Sequence, residues 1–506
     1  MTGPRAAGPA PAAQDLVRLT WAQPEDLLGH ELRQAAEDGR DPGPALRTWL
    51  AAGGRPAPAR AGASPAPAAP ELRALATRLL AGLADLPVPS AAAEPTAWPA
   101  LRATWPAPPP EAPGREPRRA PATATGSPAP ADGPHPGPDT RGPAGPPTAA
   151  DAVDPGLRRR LEAAWAGRAV GCVLGKPVEK LPLEGIRALA RAAGNWPLDD
   201  WFTARGVPAG LLAAYPWNRR SAATSLAENI DGTPEDDDLD HPLLGLLLLQ
   251  RHGKGFGTAD LARLWLDELP AGRTFTAERV AYRNLLQGLE PPLTATHHNP
   301  FREWIGALIR ADVHGWTHPG DPAAAAEQVW RDATLTHTAN GVYAALFAAA
   351  AIAEAAGGRA DVHAALRAGL AVVPPGSRLA EAVRFGIRAA GEEARFDRVV
   401  DRLHARYGHY HWVHAVPNTA LIAAALTHAD GDFTHSVCRA VSGGWDTDSN
   451  GATAGSVAGL LAGSPDRIPE RWTAPLGNRL ATTVAGFDGV GFDTLAHLTA
   501  QEASRP

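Results

Sequence analysis

Along most of the chain the apolar positions recur three and four residues apart, a spacing that predicts helices rather than strands. Long Ala/Leu-rich stretches cover 157–175, 240–252, 259–269, 322–330, 341–356, 378–391 and 417–428, separated by Gly, Pro and Asn turns. β-branched alternation is scarce, so residues 151–506 are expected to form an all-α, compact multi-helix domain rather than a barrel or a doubly wound sheet. Ahead of it, Leu16, Leu19, Leu27, Leu28, Leu32, Leu46 and Leu50 fall at roughly helical spacing, with a helix start at Gln23-Pro24-Glu25-Asp26. A second short helix fits 70–86, where Leu72, Leu75, Leu79, Leu80 and Leu83 share one face. Residues 1–86 therefore read as an N-terminal extension with short helices, partly disordered or serving to dock a protein partner. From 87 to 150 Pro, Ala and Gly dominate without periodicity, as in an extended or disordered linker.

Composition narrows the function classes. A chain of 506 residues, 44% hydrophobic and 20% charged, can bury a large core. Its net charge of −6 and pI near 6.3 give no general attraction to nucleic acid or to an anionic membrane, so a small partner is expected. Two cysteines, Cys172 and Cys438, can build neither a disulfide framework nor a cysteine-based zinc site. The first residues, Met1-Thr2-Gly3-Pro4-Arg5, do not begin the apolar core of a signal peptide, and no unbroken apolar run reaches roughly eighteen residues. A cytoplasmic setting is the expectation.

Chemistry concentrates in two acidic clusters, Glu235-Asp236-Asp237-Asp238 and Asp446-Thr447-Asp448-Ser449-Asn450. Each opens an apolar helix. One or two carboxylates at a helix N-terminus are explained by capping and by the helix dipole, but this density is not. Carboxylates brought together by folding repel one another, so a shared site for hard divalent cations with oxygen ligands is expected. In the second helix Gly451, Gly455, Gly459 and Gly463 fall every four residues and line one face, which predicts close approach of a neighbouring backbone.

Several motif rivals meet obstacles. Asp446-x-Asp448-x-Asn450-Gly451 matches the first half of an EF-hand loop, but Val457 stands where the bidentate Glu belongs. Asp446-x-Asp448 also resembles the nucleophile motif of haloacid-type phosphatases, yet no apolar strand precedes it. Asp236-Asp237-x-x-Asp240 matches the magnesium motif of all-α terpene synthases, whose second motif is absent around Asp446. The histidines His404, His409, His411 and His414, interleaved with Tyr407, Tyr410 and Trp412, suggest either a metal cluster or an aromatic packing loop.

Taken together, separated motifs give the chain a resemblance over about residues 157–480 to the ADP-ribosylglycohydrolase family. They are Gly171-Cys172-Val173-Leu174-Gly175-Lys176-Pro177-Val178-Glu179, Pro234-Glu235-Asp236-Asp237-Asp238, Gly306-Ala307-Leu308-Ile309-Arg310, His337-Thr338-Ala339-Asn340-Gly341 and Gly443-Gly444-Trp445-Asp446-Thr447-Asp448-Ser449-Asn450-Gly451-Ala452. The resemblance implies an all-α hydrolase with two Mg2+ ions, Mn2+ being an alternative, acting on ADP-ribose or a related ribosyl conjugate. It implies Glu235, Asp236, Asp237, Asp446, Asp448 and Ser449 as metal ligands, with Thr447 pointing away. It places Glu179 near the scissile bond, and Glu179 or Asp448 as the group that takes the proton. Gly306, His337, Asn340 and Gly341 fall where the substrate is held, and Asn418, at a neighbouring helix start, is a further substrate contact. Two departures stand out: Cys172 replaces the Asp usual in the first motif, and Glu235 and Asp238 replace the threonines of a Thr-Asp-Asp-Thr motif. Hydrolysis of another N-riboside, or non-catalytic binding of ADP-ribose with a partner on the extension, are the alternatives.

Overall fold

Glycine sets the packing at the centre of the fold. In the computed structural model, which describes residues 19–57, 67–106 and 154–506, helix Pro155–Gly175 lies against helix Thr447–Ala462 with almost no side chain between them. A Cβ on Gly171 would collide with the Gly451 carbonyl, one on Gly455 with the Gly167 carbonyl, and one on Gly175 with the backbone of Thr447. The backbone expected opposite Gly451, Gly455 and Gly459 is therefore that of Gly171, Gly167 and Ala163. Gly463 departs from the expectation: it ends the helix in the left-handed conformation at φ 81°, and a Cβ there would meet no neighbouring atom.

The architecture is all-α, and among the described residues there are only isolated β-bridges. Helices Asp237–His252, Thr258–Glu268, Pro322–Ala333, Ala339–Ala356, Arg378–Glu392 and Ala415–Ala429 follow the periodic stretches to within a few residues. Ala339–Ala356 is long and apolar enough by composition to cross a membrane, but 89% of it is buried inside the protein. It is a core helix, and its Ala-rich surface lets neighbours approach closely.

The N-terminal extension is more ordered than its composition suggests. Helices Pro24–Glu37, Gly43–Ala51 and Pro70–Ala84 continue into Pro89–Ala92 and Trp98–Arg102, inside the expected 87–150 linker. Leu27, Leu28, Trp49, Leu80, Leu83 and Leu101 join the hydrophobic core, and residues 19–57, 67–105 and 154–506 make one compact unit. Charge fixes the docking. Arg302 donates to Glu31 at 2.7 Å and to Asp38 at 3.1 Å, and Arg40 joins both carboxylates from the other side. Arg378 reaches Glu94 and Glu303, each at 2.7 Å, and Gln34 donates to Glu303 at 2.8 Å. The rest of the expected linker, and residues 1–18 and 58–66, lie outside the described residues.

Candidate active site

Both acidic clusters are held at helix N-termini and meet in one cavity of about 670 Å3. Asp236 is the N-cap of helix Asp237–His252, its Oδ1 accepting from the Asp238 N–H at 3.0 Å. On the other side Trp445 adopts φ 58° and stacks on His404 at 4.0 Å, which turns the chain so that Asp446 enters the cavity. The Ser449 hydroxyl donates to Asp238 Oδ2 at 3.1 Å, joining the clusters directly. Thr447 turns away, its hydroxyl donating to the Gly175 carbonyl at 2.8 Å.

At the acidic clusters themselves carboxylates outnumber cations, while Arg219, Arg220 and Arg273 line more exposed parts of the cavity. Glu179, Asp446 and Asp448 bring carboxylate oxygens within 4.8 Å of one another, as do Asp236 and Asp238 with the Cys172 sulfur. Against them stand Lys176, paired with Asp236, Lys180, 2.6 Å from Glu179, and the fully buried Arg168. Arg168 is shared, donating to Asp312 at 2.7 Å as well as to Asp238 at 3.4 Å. Burial and the neighbouring carboxylates hold the Asp237, Asp238 and Asp446 carboxyls well above the usual range. Burial and Asp448 push Glu179 up to about 7. Asp236 alone in the cluster is lowered, because Lys176 and the Asp238 N–H outweigh its burial. Buried carboxylates in such excess, all hard oxygen donors, suit a divalent cation.

The ADP-ribosylglycohydrolase family matches residues 154–503. The chain belongs to that family. It is accordingly a glycosidic hydrolase, from a family that is generally metal-dependent and acts on ADP-ribose-related substrates. Among solved structures 45 chains match; one, described as an "ADP-ribosylglycohydrolase-related protein complex", is 20% identical with a TM-score of 0.43, over 69% of this chain and 98% of that chain. No curated protein matches.

Not every residue suggested by the glycohydrolase motifs reaches the cavity. Glu179, Glu235, Asp236, Asp237, Gly306, Asp446, Asp448 and Ser449 do. Glu235 sits at the rim, 2.8 Å from the Arg273 guanidinium, whereas Asp238 lies deeper and contacts Ser449. Gly306 has no room for a side chain, since a Cβ would strike the Glu278 carboxylate. Asn418, His337, Asn340 and Gly341, expected to hold the substrate, do not line the cavity. Asn418 is fully buried; its amide donates to the Trp412 and His414 carbonyls, both at 2.8 Å, and its oxygen accepts from Asp446 N and Asn450 Nδ2. Its hydrogen-bonding capacity is thus used within the protein, one bond being to the Asp446 backbone. His337 bonds Thr336 at 2.6 Å, and Asn340 bonds Glu303 and Leu379, so both are tied into the core. Gly341 packs on the Arg302 carbonyl.

Other contributors were not foreseen. Arg168 is the only charged residue from 163 to 174, and a lone Arg in an apolar helix is the signal of a buried ion pair. Asn218 donates to Glu179 at 2.7 Å from a loop with no local motif to mark it. Asp240, the third acid of the terpene-synthase motif, turns to the Thr482 and Thr483 hydroxyls and does not line the cavity. The histidines serve aromatic packing: His411 stacks on Trp304 at 4.2 Å, and His404, in helix Phe396–Tyr407, stacks on Trp445.

Proposed function

We propose that the protein hydrolyses the ribosyl glycosidic bond of an ADP-ribosyl conjugate with the help of divalent cations, two Mg2+ ions or Mn2+. The observation that carries this reading is the meeting of the two acidic clusters through Ser449 and Asp238 in a cavity where the clustered carboxylates outnumber the cations beside them. Asp236, Asp237, Asp446, Asp448 and Ser449 would hold the cations, with Asp238 beside them and Glu235 at the rim. When bound, such ions supply Lewis-acid polarisation of ribose hydroxyls and a water of lowered pKa.

The chain's own groups then divide the remaining work. Asn218 and Lys180 fix both oxygens of Glu179, orienting it toward Asp446 and Asp448. A carboxylate held there can take the proton of an attacking water or return one to the leaving group as an oxocarbenium-like state develops. Asn418 keeps Asp446 in place through its backbone, and Lys176 limits the repulsion felt by Asp236.

A second reading, hydrolysis of another N-riboside, is favoured by one fact: His337, Asn340 and Gly341 lie outside the cavity lining, beneath a segment where Thr96 accepts from Ala339 N. Incubating the full chain with ADP-ribosyl-arginine, ADP-ribosyl-serine, ADP-ribosylated nucleic acid and simple ribosides, with Mg2+ and then with chelator, decides between them. Free ADP-ribose released only with Mg2+ is the expected product. Release from simple ribosides alone would favour the second reading, and release from none would leave a binder.

A further inference from the structure

Resting on the reading just given, we propose that Trp21, from the N-terminal extension and outside the family match, is a specificity-determining residue that stacks on the planar base of the substrate. Trp21 lines the catalytic cavity together with Phe275 and Trp412, although it lies far from the acidic clusters in sequence. Trp21 and Phe275, partly exposed and in edge contact, form an apolar patch in a cavity half lined by charged residues, and Trp412 adds a further aromatic beside Lys180.

The placement of Trp21 is built rather than incidental. Its backbone is left-handed at φ 56°, a conformation that bulky side chains adopt rarely and that is found at ligand clamps when the surroundings enforce it. The enforcement is visible on both sides of the residue. Arg279 donates to the Thr20 hydroxyl at 2.8 Å, and Arg283 donates to the Ala22 carbonyl at 3.0 Å, both from helix Thr276–Leu286. The same Arg279 guanidinium lies 5.3 Å from the indole centroid, and Phe275 meets the ring edge-on at 5.8 Å. The indole is thus braced by the catalytic domain while part of it remains open to the cavity.

An aromatic surface of this kind recognises a flat, polarisable group, and every nucleobase offers one. Arg219 and Arg220, exposed in the same lining, supply positive charge suited to the phosphates of a nucleotide. The N-terminal extension therefore completes the substrate chamber instead of merely decorating the domain.

Calorimetric titration of full-chain wild type, Trp21→Ala and Trp21→Phe with ADP-ribose and with ribose 5-phosphate tests this without any turnover. For Trp21→Ala the account expects ADP-ribose binding weakened about tenfold or more, ribose 5-phosphate binding within about twofold of wild type, and an unchanged melting temperature. Trp21→Phe should recover most of the loss. Equal weakening of both ligands would show a purely structural role, and unchanged ADP-ribose binding would show that the patch is not used; either overturns the proposal. A wild type that binds ribose 5-phosphate but not ADP-ribose would overturn it while leaving ribosyl hydrolysis intact. A wild type that binds neither would overturn the functional reading as well.

Discussion

Asp448→Asn should lower kcat by about a thousandfold or more at saturating Mg2+ while the protein stays folded. The substitution preserves shape, and the amide oxygen can still accept from the Ser449 N–H as Asp448 Oδ1 does at 3.1 Å. What it removes is charge, at the residue whose carboxylate gathers with those of Glu179 and Asp446 within 4.8 Å. Steady-state kinetics on an ADP-ribosylated substrate, with Mg2+ raised until the rate no longer changes, separates weaker cation binding from lost chemistry. A variant turning over at the wild-type rate would remove Asp448 from the reaction and with it the proposed division of labour.

The second large effect concerns the N-terminal extension. Arg302→Met should cost about 3–5 kcal/mol of stability, because it strands two buried carboxylates that the guanidinium now satisfies. Glu31 and Asp38 are only 6% and 4% exposed at their side chains, and Arg40 alone would remain to neutralise both. Urea unfolding followed by tryptophan fluorescence reads the loss directly, since Trp21, Trp49, Trp98 and Trp105 report on the extension. An unchanged midpoint would mean that Arg40 alone satisfies Glu31 and Asp38 and that Arg302 adds nothing to the docking of the extension.

Local patterns in the sequence were legible where local physics governs them. Helix Asp237–His252 announces itself through its acids, Pro242 and Leu run, and Thr447–Ala462 through its acids and glycine row. What stayed hidden depends on partners distant in the chain. Gly167, Gly171 and Gly175 look like ordinary members of a small-residue helix until Gly451 and Gly455 are placed against them. Glu31 and Asp38 look like solvent-facing charges, because their partner Arg302 lies more than two hundred and fifty residues away. Asn418 lies twenty-eight residues before Asp446, and that its amide nitrogen is spent on the Trp412 and His414 carbonyls is decided only by the fold there. Trp21 is a single tryptophan in a segment without motif, and its place in the cavity follows from two arginines of another helix.

The central claim is that the two acidic clusters act as one cation site, and a Mn2+ titration followed by electron paramagnetic resonance tests it most directly. Wild type should bind Mn2+, and Asp237→Asn from the first cluster and Asp446→Asn from the second should each weaken the same binding event by about tenfold or more. Mn2+ binding that survives unchanged in either variant would show that the clusters do not share a site, and would contradict the account.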